Sequence, residues 1–255
     1  LAAQRKAAWS DIARRIAHEI KNPLTPIQLS AERLKRKYLK EIVNDPETFQ
    51  VCTDTIVRQV GDIGRLVDEF SSFARMPAPV LRPEDLVELA RQAVFLQQSA
   101  NPSIVYDVEL PAEPIWANCD AAQVTRALTN LLQNAADAIE ARLEMEQAAA
   151  GGDGQNRLTP GRIHLWIRRD GDEVTLAVDD NGRGLPRQGR ERLTDPYVTT
   201  RVKGTGLGLA IVKKIMEDHG GRLQLLDGEK GGASVRLTFP AEIVLADPAL
   251  KSVQA

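Results

Sequence analysis

The sequence has few cysteines, no apolar run of membrane-spanning length and almost no net charge. Its 2 cysteines, Cys52 and Cys119, lie far apart, so they support neither a disulfide framework nor a zinc site. No apolar run approaches the ~18 to 20 residues that span a bilayer, and no signal peptide is visible. The 33 basic and 35 acidic residues leave a net charge of -2, which gives no electrostatic reason to expect a nucleic-acid partner. These absences describe an ordinary globular protein that suits a reducing cytosol.

Two amphipathic helices are predicted in residues 1–76, joined by a turn at residues 40–46. In each helix the apolar residues recur in steps of three and four, which marks a single stripe. A hairpin of two helices cannot bury both stripes by itself, so the pattern favours a four-helix bundle formed by a homodimer. The first stripe comprises Trp9, Ala13, Ile16, Ile20, Leu24, Ile27, Ala31, Leu34 and Tyr38, and the second Phe49, Cys52, Ile56, Val60, Ile63, Leu66 or Val67, Phe70 and Phe73.

His18 lies off the first stripe and is predicted to face water, where a second domain or protein can reach it. Pro23 lacks an N–H group and crowds the carbonyl of Glu19, so the helix is expected to bend just after the histidine. A surface histidine on a kinked helix, or a plain dimerising coiled coil, is the alternative interpretation. Glu19 and Asn22 favour chemistry, because a carboxylate beside an imidazole can orient it and an amide one turn on can position water.

A proline-broken segment, residues 77–83, has no helical period and is interpreted as a linker. Residues 84–240 mix helical and strand patterns, which predicts helices on one face of a mixed sheet, an α/β sandwich. We expect residues 148–160 to form a loop and residues 241–255 a tail. The predicted helices cover residues 84–97, 121–146 and 206–219, and the predicted strands cover residues 104–110, 115–119, 162–168, 173–179, 222–226 and 233–239.

Asn130 and Asn134 lie four residues apart on a predicted helix and therefore share a face. Amide oxygens in such a pair suit Mg²⁺, a hard cation that prefers oxygen ligands and retains phosphate and water. Two exposed asparagines with no ligand are the alternative interpretation.

Asp180 continues the parity of the apolar residues in the strand before it, so its carboxylate is predicted to point inward. An inward carboxylate needs a hydrogen-bond donor. An ordinary Asn-Gly turn would account for Gly182 but not for the inward acid. Asp179 has the opposite parity and is expected to be exposed.

Gly204, Thr205, Gly206, Leu207 and Gly208 open the last predicted helix. Glycines let backbone amides approach phosphate oxygens, and a helix N-terminus favours their charge. The stretch is not a P-loop, because no Gly-Lys-Ser/Thr follows, and its spacing misses the dinucleotide pattern G-x-G-x-x-G.

A basic, loop-like stretch precedes these glycines. We hypothesise that it closes over a bound nucleotide as a lid, with Arg201 or Lys203 supplying positive charge to the phosphates. A solvated charged loop is the alternative. The basic residues of the stretch are Arg183, Arg187, Arg190, Arg192, Arg201 and Lys203.

Taken together, these motifs resemble those of sensor histidine kinases, and residues 13–38 closely resemble the NtrY-type nitrogen-regulation members. The resemblance covers roughly residues 9–240. Its motifs are an H box from His18 to Pro26, an N box with Asn130 and Asn134, a D-x-G-x-G box at Asp180, Gly182 and Gly184, an F box that includes Thr199 and Thr200, and a G2 box at residues 204–208.

The resemblance implies a dimeric four-helix bundle followed by an α/β sandwich of the Bergerat, or GHKL, ATPase type. It implies that ATP and Mg²⁺ bind to the N, D-x-G-x-G, F and G2 boxes, with Asn134 on the metal and Asp180 on the adenine amino group. Asp137 departs from the pattern, because many histidine kinases carry a lysine there for the phosphates.

The implied reaction is ATP-dependent phosphorylation of His18, with Glu19 as general base or orienting group, and transfer to an aspartate on the receiver domain of an NtrX-type response regulator. Asn22 suggests hydrolysis of the phospho-aspartate as well. The alternatives are a conformational ATPase of the GHKL type without phosphohistidine, and a non-catalytic dimerisation scaffold. We expect His164 and His219 to be structural.

The chain begins at Leu1 within a predicted helix and without a starting methionine, so we expect it to be a fragment of a longer protein. We expect this fragment to be cytoplasmic and to make no membrane contact. The parent protein is expected to be an inner-membrane sensor that holds this portion on the cytoplasmic side.

Overall fold

A computed structural model of the chain describes residues 2–149, 159–199, 204–229 and 231–240, with side chains from residue 15 onward. Thr200, Arg201 and Lys203, the predicted tail and most of the predicted loop at residues 148–160 lie outside the described residues. The described residues fall into two compact units. The first joins residues 2–77 with residues 204–207, and the second joins residues 78–199 with the rest of residues 208–240.

The first unit is built on a helical hairpin of α1, Ala2–Tyr38, and α2, Pro46–Ala74. Helix α1 continues through Pro23 and Pro26 rather than ending there, and the bend expected after His18 stays a prediction. Asp45 starts α2 from the left-handed backbone region, and its carboxylate accepts the Thr48 N–H at 3.2 Å. This cap satisfies one of the donors that a helix N-terminus leaves unpaired.

Small residues make the contact between α1 and α2. Ala17, Ala31, Val60 and Val67 are at most 8% exposed, and Lys21 and Lys35 form ion pairs with Asp68 and Asp54 across the hairpin. A set of large aliphatic residues stays 38 to 47% exposed in the single chain. We call this set the aliphatic face of the hairpin; it consists of Ile16, Ile20, Ile27, Leu34, Ile56, Ile63 and Leu66.

The second unit alternates strands with helices. Its elements are β1 (Arg82–Asp85), α3 (Leu86–Ala100), β2 (Val105–Glu109), β3 (Trp116–Cys119), α4 (Ala121–Ala149), β4 (Arg162–Asp170), β5 (Glu173–Asp180), a 3-10 helix (Arg190–Thr194), α5 (Gly208–Asp218), β6 (Arg222–Asp227) and β7 (Ala233–Pro240). The predicted α/β sandwich is confirmed, because the strands form a mixed sheet against the helices.

The main sheet has the order β2-β4-β5-β7-β6, in which only the β2–β4 pair is parallel. The short strands β1 and β3 pair separately. Strand β1 was not predicted: residues 82–83 were assigned to the linker and residues 84–85 to a helix. Asp85 instead caps α3, which therefore begins at Leu86. Pairing with β3 across the fold is a non-local contact that the local proline pattern does not show.

The core lies between the sheet and helices α3, α4 and α5. Helix α4 contributes Leu128, Leu131, Leu132 and Ile139, all at most 2% exposed, at the spacing of one helical face. Opposite them, alternate residues of β4 and β5 point inward, as the register of Leu165 with Val178 shows. This packing fixes the position of α4 against the end of β5, where the candidate site lies.

Candidate functional site

His18 is exposed on α1, as its place off the apolar stripe predicts. Among the described residues, none forms a hydrogen bond with its imidazole. Glu19 pairs with Arg15 at 2.9 Å, and Lys21 pairs with Asp68 of α2. Asn22 is exposed one turn on. The structure therefore presents an accessible imidazole next to a carboxylate and an amide, while the roles predicted for Glu19 and Asn22 stay predictions.

Asn130 and Asn134 lie on one face of α4, opposite the first residue of α5. A methyl group added at Gly208 would lie 3.7 Å from Asn134 Nδ2 and 4.0 Å from Asn130 Oδ1. Asn130 Nδ2 is buried and, among the described residues, has no hydrogen-bond partner. A buried amide without a partner is costly. It fits a place where a polar ligand completes the hydrogen bonding, and the amide oxygens suit Mg²⁺.

Asp180 ends β5 and is 8% exposed, so the inward carboxylate that parity predicts is present. Its Oδ1 accepts the Gly182 N–H at 2.8 Å and the Ala233 N–H at 3.4 Å. These backbone donors fix the orientation of the carboxyl group. Asp179 is not exposed as expected: it is half-buried, and its Oδ2 accepts the indole N–H of Trp166 at 2.8 Å.

Glycines around Asp180 allow the chain to pack very closely. A methyl group at Gly182 would lie 2.6 to 2.8 Å from the backbone and side chain of Ala138 in α4. Gly184 and Gly232 both have positive φ, and a methyl group at Gly232 would lie 1.9 Å from the carbonyl oxygen of Asp180. Gly182 and Gly184 are predicted to contact the nucleotide, and in the structure they let neighbouring backbone segments pack closely. Gly232 packs in the same way, although no sequence motif indicates it.

Residues 204–207 belong to the first unit. Gly206 has φ +70°, the Leu207 N–H is donated to Thr205 Oγ1 at 3.3 Å, and Leu207 is fully buried. Thr205 also donates a hydrogen bond to Glu69 of α2. Gly208 follows directly in the chain and opens α5 in the second unit, beside the two asparagines.

Two sequence comparisons bear on these sites. Residues 8–79 match the family described as His Kinase A (phospho-acceptor) domain, and residues 119–243 match the family described as histidine kinase-, DNA gyrase B- and HSP90-like ATPase. Across its full length the chain is 55% identical to the nitrogen regulation protein NtrY of Azorhizobium caulinodans, of which it covers 32%. The chain belongs to the sensor histidine kinases of the NtrY type.

Further relatives agree with this family. The chain is 35% identical to the sensory histidine kinase/phosphatase NtrB of Rhizobium meliloti, over 92% of this chain and 59% of that protein. The crystal structure of the histidine kinase ThkA in complex with the response regulator protein TrrA aligns with a TM-score of 0.60 at 25% identity, over 93% of this chain and 63% of that one. The chain thus spans about a third of the length of its NtrY relative and carries the two kinase domains.

The basic stretch of this kinase is only partly irregular. It contains the 3-10 helix Arg190–Thr194, and Arg190 forms a two-bonded ion pair with Asp227 at the end of β6, at 2.6 and 3.2 Å. Arg190, one of the basic residues predicted for the lid, is therefore paired with a carboxylate of β6. Tyr197 in the F box has φ 67°, and partial burial raises the pKa of its hydroxyl group. Thr199 is exposed.

Asp137, the residue that departs from the kinase pattern, is held on α4 by Gln133, whose amide donates a hydrogen bond at 2.7 Å. The described residues contain no cluster of three or more His, Cys, Asp or Glu that could hold a metal ion. No helix in the described part of the chain is long and apolar enough to cross a membrane.

Proposed function

We propose that this chain is the catalytic portion of an ATP-dependent sensor histidine kinase that phosphorylates His18. The accessible imidazole on a two-helix hairpin carries the proposal, because a phosphoacceptor must be reached by a separate domain. In the proposed reaction an imidazole nitrogen of His18 forms a bond to the γ-phosphorus while the bond to the β–γ bridging oxygen breaks. Glu19 orients the imidazole or accepts its proton, which requires the carboxylate to leave Arg15.

The second unit is proposed to bind Mg-ATP between α4, the end of β5 and the start of α5. When bound, this ligand supplies the phosphoryl group and the charge that stabilises its transfer. Asp180 is proposed to accept a hydrogen bond from the adenine amino group, and Asn134 is proposed to hold the metal ion. Asn130 is proposed to donate a hydrogen bond from its buried amide to the same ligand. In this unit Gly182, Gly184 and Gly208 are proposed to let the backbone approach the nucleotide. The nucleotide contacts implied for residues 204–207 of the G2 box stay predictions.

The aliphatic face of the hairpin supports a homodimer. Seven large side chains at heptad-like spacing remain more than a third exposed in one chain, and a second copy of the hairpin would cover them in a four-helix bundle. Exposed apolar surface of this extent on a hairpin with a core of small residues favours association over a stable monomer.

The proposed partner is the receiver domain of a response regulator of the NtrX type, in a pathway of nitrogen regulation. The identity to NtrY and the name of the related NtrB, a kinase and phosphatase, support this partner and a second activity, hydrolysis of the phospho-regulator. Asn22 is proposed to position the water for that hydrolysis. Asn22→Ala should therefore spare autophosphorylation of His18 and lower the rate of dephosphorylation of the regulator; an equal loss of both would contradict separate roles.

The test of the pocket compares Asn134→Ala with Glu140→Ala, an exposed change on the same helix. Loss of the metal ligand should weaken Mg-ATP binding by about tenfold or more and reduce autophosphorylation, with no change in thermal unfolding, while the control binds like the wild type. Titration with a fluorescent ATP analogue at fixed Mg²⁺ measures the affinity of both variants. Equal binding by Asn134→Ala and wild type would rule out the proposed metal position.

The lid hypothesis is tested separately, because Arg201 and Lys203 lie outside the described residues. The double change Arg201→Ala and Lys203→Ala should weaken ATP binding and lower turnover, since positive charge is removed from the phosphates. Arg192→Ala, an exposed residue of the same stretch, is the matched control. Unchanged ATP affinity and turnover in the double variant would show that the stretch is a solvated loop.

A further inference from the structure

His219 stands at the first position after α5, and its side chain is only 8% exposed. Its Nδ1 lies 2.7 Å from the Ile215 carbonyl oxygen, and its Nε2 lies 3.0 Å from the backbone nitrogen of Asp120. A carbonyl oxygen can only accept and a backbone N–H can only donate. The proton therefore sits on Nδ1, and Nε2 presents its lone pair to Asp120. The ring also packs edge-on against Phe239, at 6.4 Å between centroids and 88°.

Asp120 directly precedes α4 and caps its first turn. Its Oδ1 accepts the Gln123 N–H at 3.1 Å, and its carbonyl accepts the Val124 N–H at 2.9 Å. Its Oδ2 accepts the N–H of Val80 at 2.9 Å, a residue of the predicted linker. Burial alone would raise the pKa of the Asp120 carboxyl, but the N–H groups of Val80, Gln123 and Ala122 hold it below its usual value. The residue thus joins the linker, the start of α4 and, through its own N–H, the end of α5.

The same two helices meet again at the candidate nucleotide site. Asn130 and Asn134 lie about 15 to 21 Å along α4 from Asp120, and Gly208 lies about 16 Å along α5 from His219, at ~1.5 Å per residue. Gly208 faces both asparagines. Helices α4 and α5 are therefore antiparallel, with the nucleotide residues at one end of the contact and the His219–Asp120 hydrogen bond at the other. A shift in register at His219 displaces Gly208 against Asn134.

We propose that His219 is a positioning residue for the nucleotide site, which sets the register of α5 against α4 through Asp120 and ties both helices to the linker at Val80. The inference rests on the proposed binding of Mg-ATP between these helices. A histidine suits the position because it receives a backbone N–H on Nε2 while its Nδ1–H satisfies a carbonyl at the end of α5.

The first test compares three substitutions that separate the two ring nitrogens. His219→Gln keeps an acceptor at about the distance of Nε2, His219→Asn keeps a polar group only near Nδ1, and His219→Leu keeps neither. The affinity of the unphosphorylated protein for a fluorescent ATP analogue with Mg²⁺ should stay within about twofold in the Gln variant and fall about fivefold to tenfold in the Asn and Leu variants. Thermal unfolding of each variant is measured in parallel, and if the Leu variant does not fold, His219→Met, which has about the length of Gln without its acceptor, takes its place.

A residue that only fills the core would rank the variants by volume and stability, so the Leu variant would bind the analogue at least as well as the Gln variant, and that order would overturn the proposal. Equal losses in the Gln and Asn variants would also overturn the proposal, as would wild-type affinity in all three. Because binding is measured apart from phosphorylation, a protein that binds the analogue but never labels His18 refutes the proposed kinase reaction and leaves this inference standing. A wild-type protein that does not bind the analogue at all overturns the inference together with the pocket.

The second test addresses the linker. Val80→Pro removes the N–H group that is donated to Asp120, whereas Leu81→Pro adds a proline at a position whose N–H makes no hydrogen bond among the described residues. Val80→Pro should weaken binding of the analogue severalfold, and Leu81→Pro should not. In the double variant with His219→Asn and Val80→Pro, the loss of affinity for the analogue should be close to the larger of the two single losses, because both substitutions act through Asp120. Effects that multiply in the double variant would contradict a connection through Asp120.

Discussion

The helical hairpin and the α/β unit differ in how completely they bury their large apolar side chains. The largest fully buried side chains include Leu128, Leu132, Ile163 and Met216 of the α/β unit, and none of them lies in α1 or α2 within the described residues. The hairpin buries mainly alanines and valines between its helices and leaves its aliphatic face exposed. The α/β unit therefore contains a complete core, whereas the hairpin contains half of one. The stability of the hairpin is proposed to depend on a second copy of the chain.

The two regions also differ in how they hold their functional groups. His18 has no hydrogen-bond partner among the described residues, and Glu19 and Asn22 beside it are exposed. Asp180 and Asn130, in contrast, are set in place by packed backbone and by α4. This difference fits a reaction in which a pre-organised nucleotide site acts on a freely accessible acceptor.

The largest expected contrast is in thiol reactivity. Burial, with the nearby charges of Glu84 and Asp120, raises the pKa of Cys119 to about 12, so only about 1 in 10,000 of these thiols is ionised at pH 8. Cys52 is exposed on α2. Cys52 also belongs to the second predicted stripe, so a second copy of the hairpin would cover it. Ellman's reagent should therefore modify Cys52 in the native protein as the dimer dissociates, and Cys119 only after unfolding. Two rapidly reacting thiols would show that the α/β core is open.

A charge on the aliphatic face should separate the dimer. Ile63 is 43% exposed in the single chain, so Ile63→Glu costs the isolated hairpin little but places a carboxylate in the proposed bundle. Sedimentation analysis should show a dimer dissociation constant raised at least 100-fold, with unchanged ATP affinity in the α/β unit. Gln50→Glu adds the same charge to an exposed position off the predicted stripe and should leave the dimer intact. If the dimer survived Ile63→Glu, the aliphatic face would not form the dimer interface, and the hairpin would not need a second copy to complete its core.

A cavity in the α/β core should destabilise that unit alone. Leu132 is fully buried, so Leu132→Ala should lower its free energy of unfolding by about 2 to 5 kcal/mol. Met145→Ala, at a side chain on the same helix that is 67% exposed, should change it by less than about 0.5 kcal/mol. Urea unfolding followed by circular dichroism measures both. If Leu132→Ala weakened dimerisation as strongly as it weakened the α/β fold, the two regions would not be independent.

The smallest effect concerns the cap of α2. The Thr48 side chain and N–H lower the pKa of Asp45, so the ionised carboxylate stabilises the folded hairpin above the ordinary aspartate pKa, and this contribution is lost as the pH falls through the lowered value. Asp45→Ala should reduce the melting temperature of the hairpin slightly at pH 7, and the difference from wild type should shrink as the pH falls through the lowered pKa of Asp45. Asp45→Asn, which tolerates the left-handed backbone and still accepts a hydrogen bond, should remain close to wild type. A difference that persists in acid would assign the effect to the backbone instead.

Periodicity in the sequence was sufficient for the elements whose pattern is local. The long helices α1, α2 and α4, the inward position of Asp180 and the mixed sheet follow from steps of three and four or from alternation. Strand β1 and the burial of Asp179 could not be predicted in this way, because each depends on a residue distant in the chain: β3 in one case and Trp166 in the other.

The candidate site shows the same limit. Asn130, Asn134 and Gly208 were recognised as separate motifs, and only the structure brings the glycine onto the face of the two asparagines. Gly232 was missed because a glycine in a hairpin turn has no distinguishing local signal, although its Cα lies against the backbone of Asp180. His219 was expected to be structural. Its hydrogen bond to Asp120 joins residues 99 positions apart, which no sequence period reveals.

In the proposed reaction the pre-organised α/β unit phosphorylates the exposed His18. The most direct measurement incubates the protein with Mg²⁺ and ATP labelled on the γ-phosphate, beside His18→Gln, and tests the acid stability of the protein-bound label. The proposed reaction predicts acid-labile label on the wild type, none on the variant, and equal ATP affinity in the two proteins. Release of phosphate with no labelled protein would contradict it and indicate a conformational ATPase; acid-stable label, or label on both proteins, would place the phosphoacceptor at another residue.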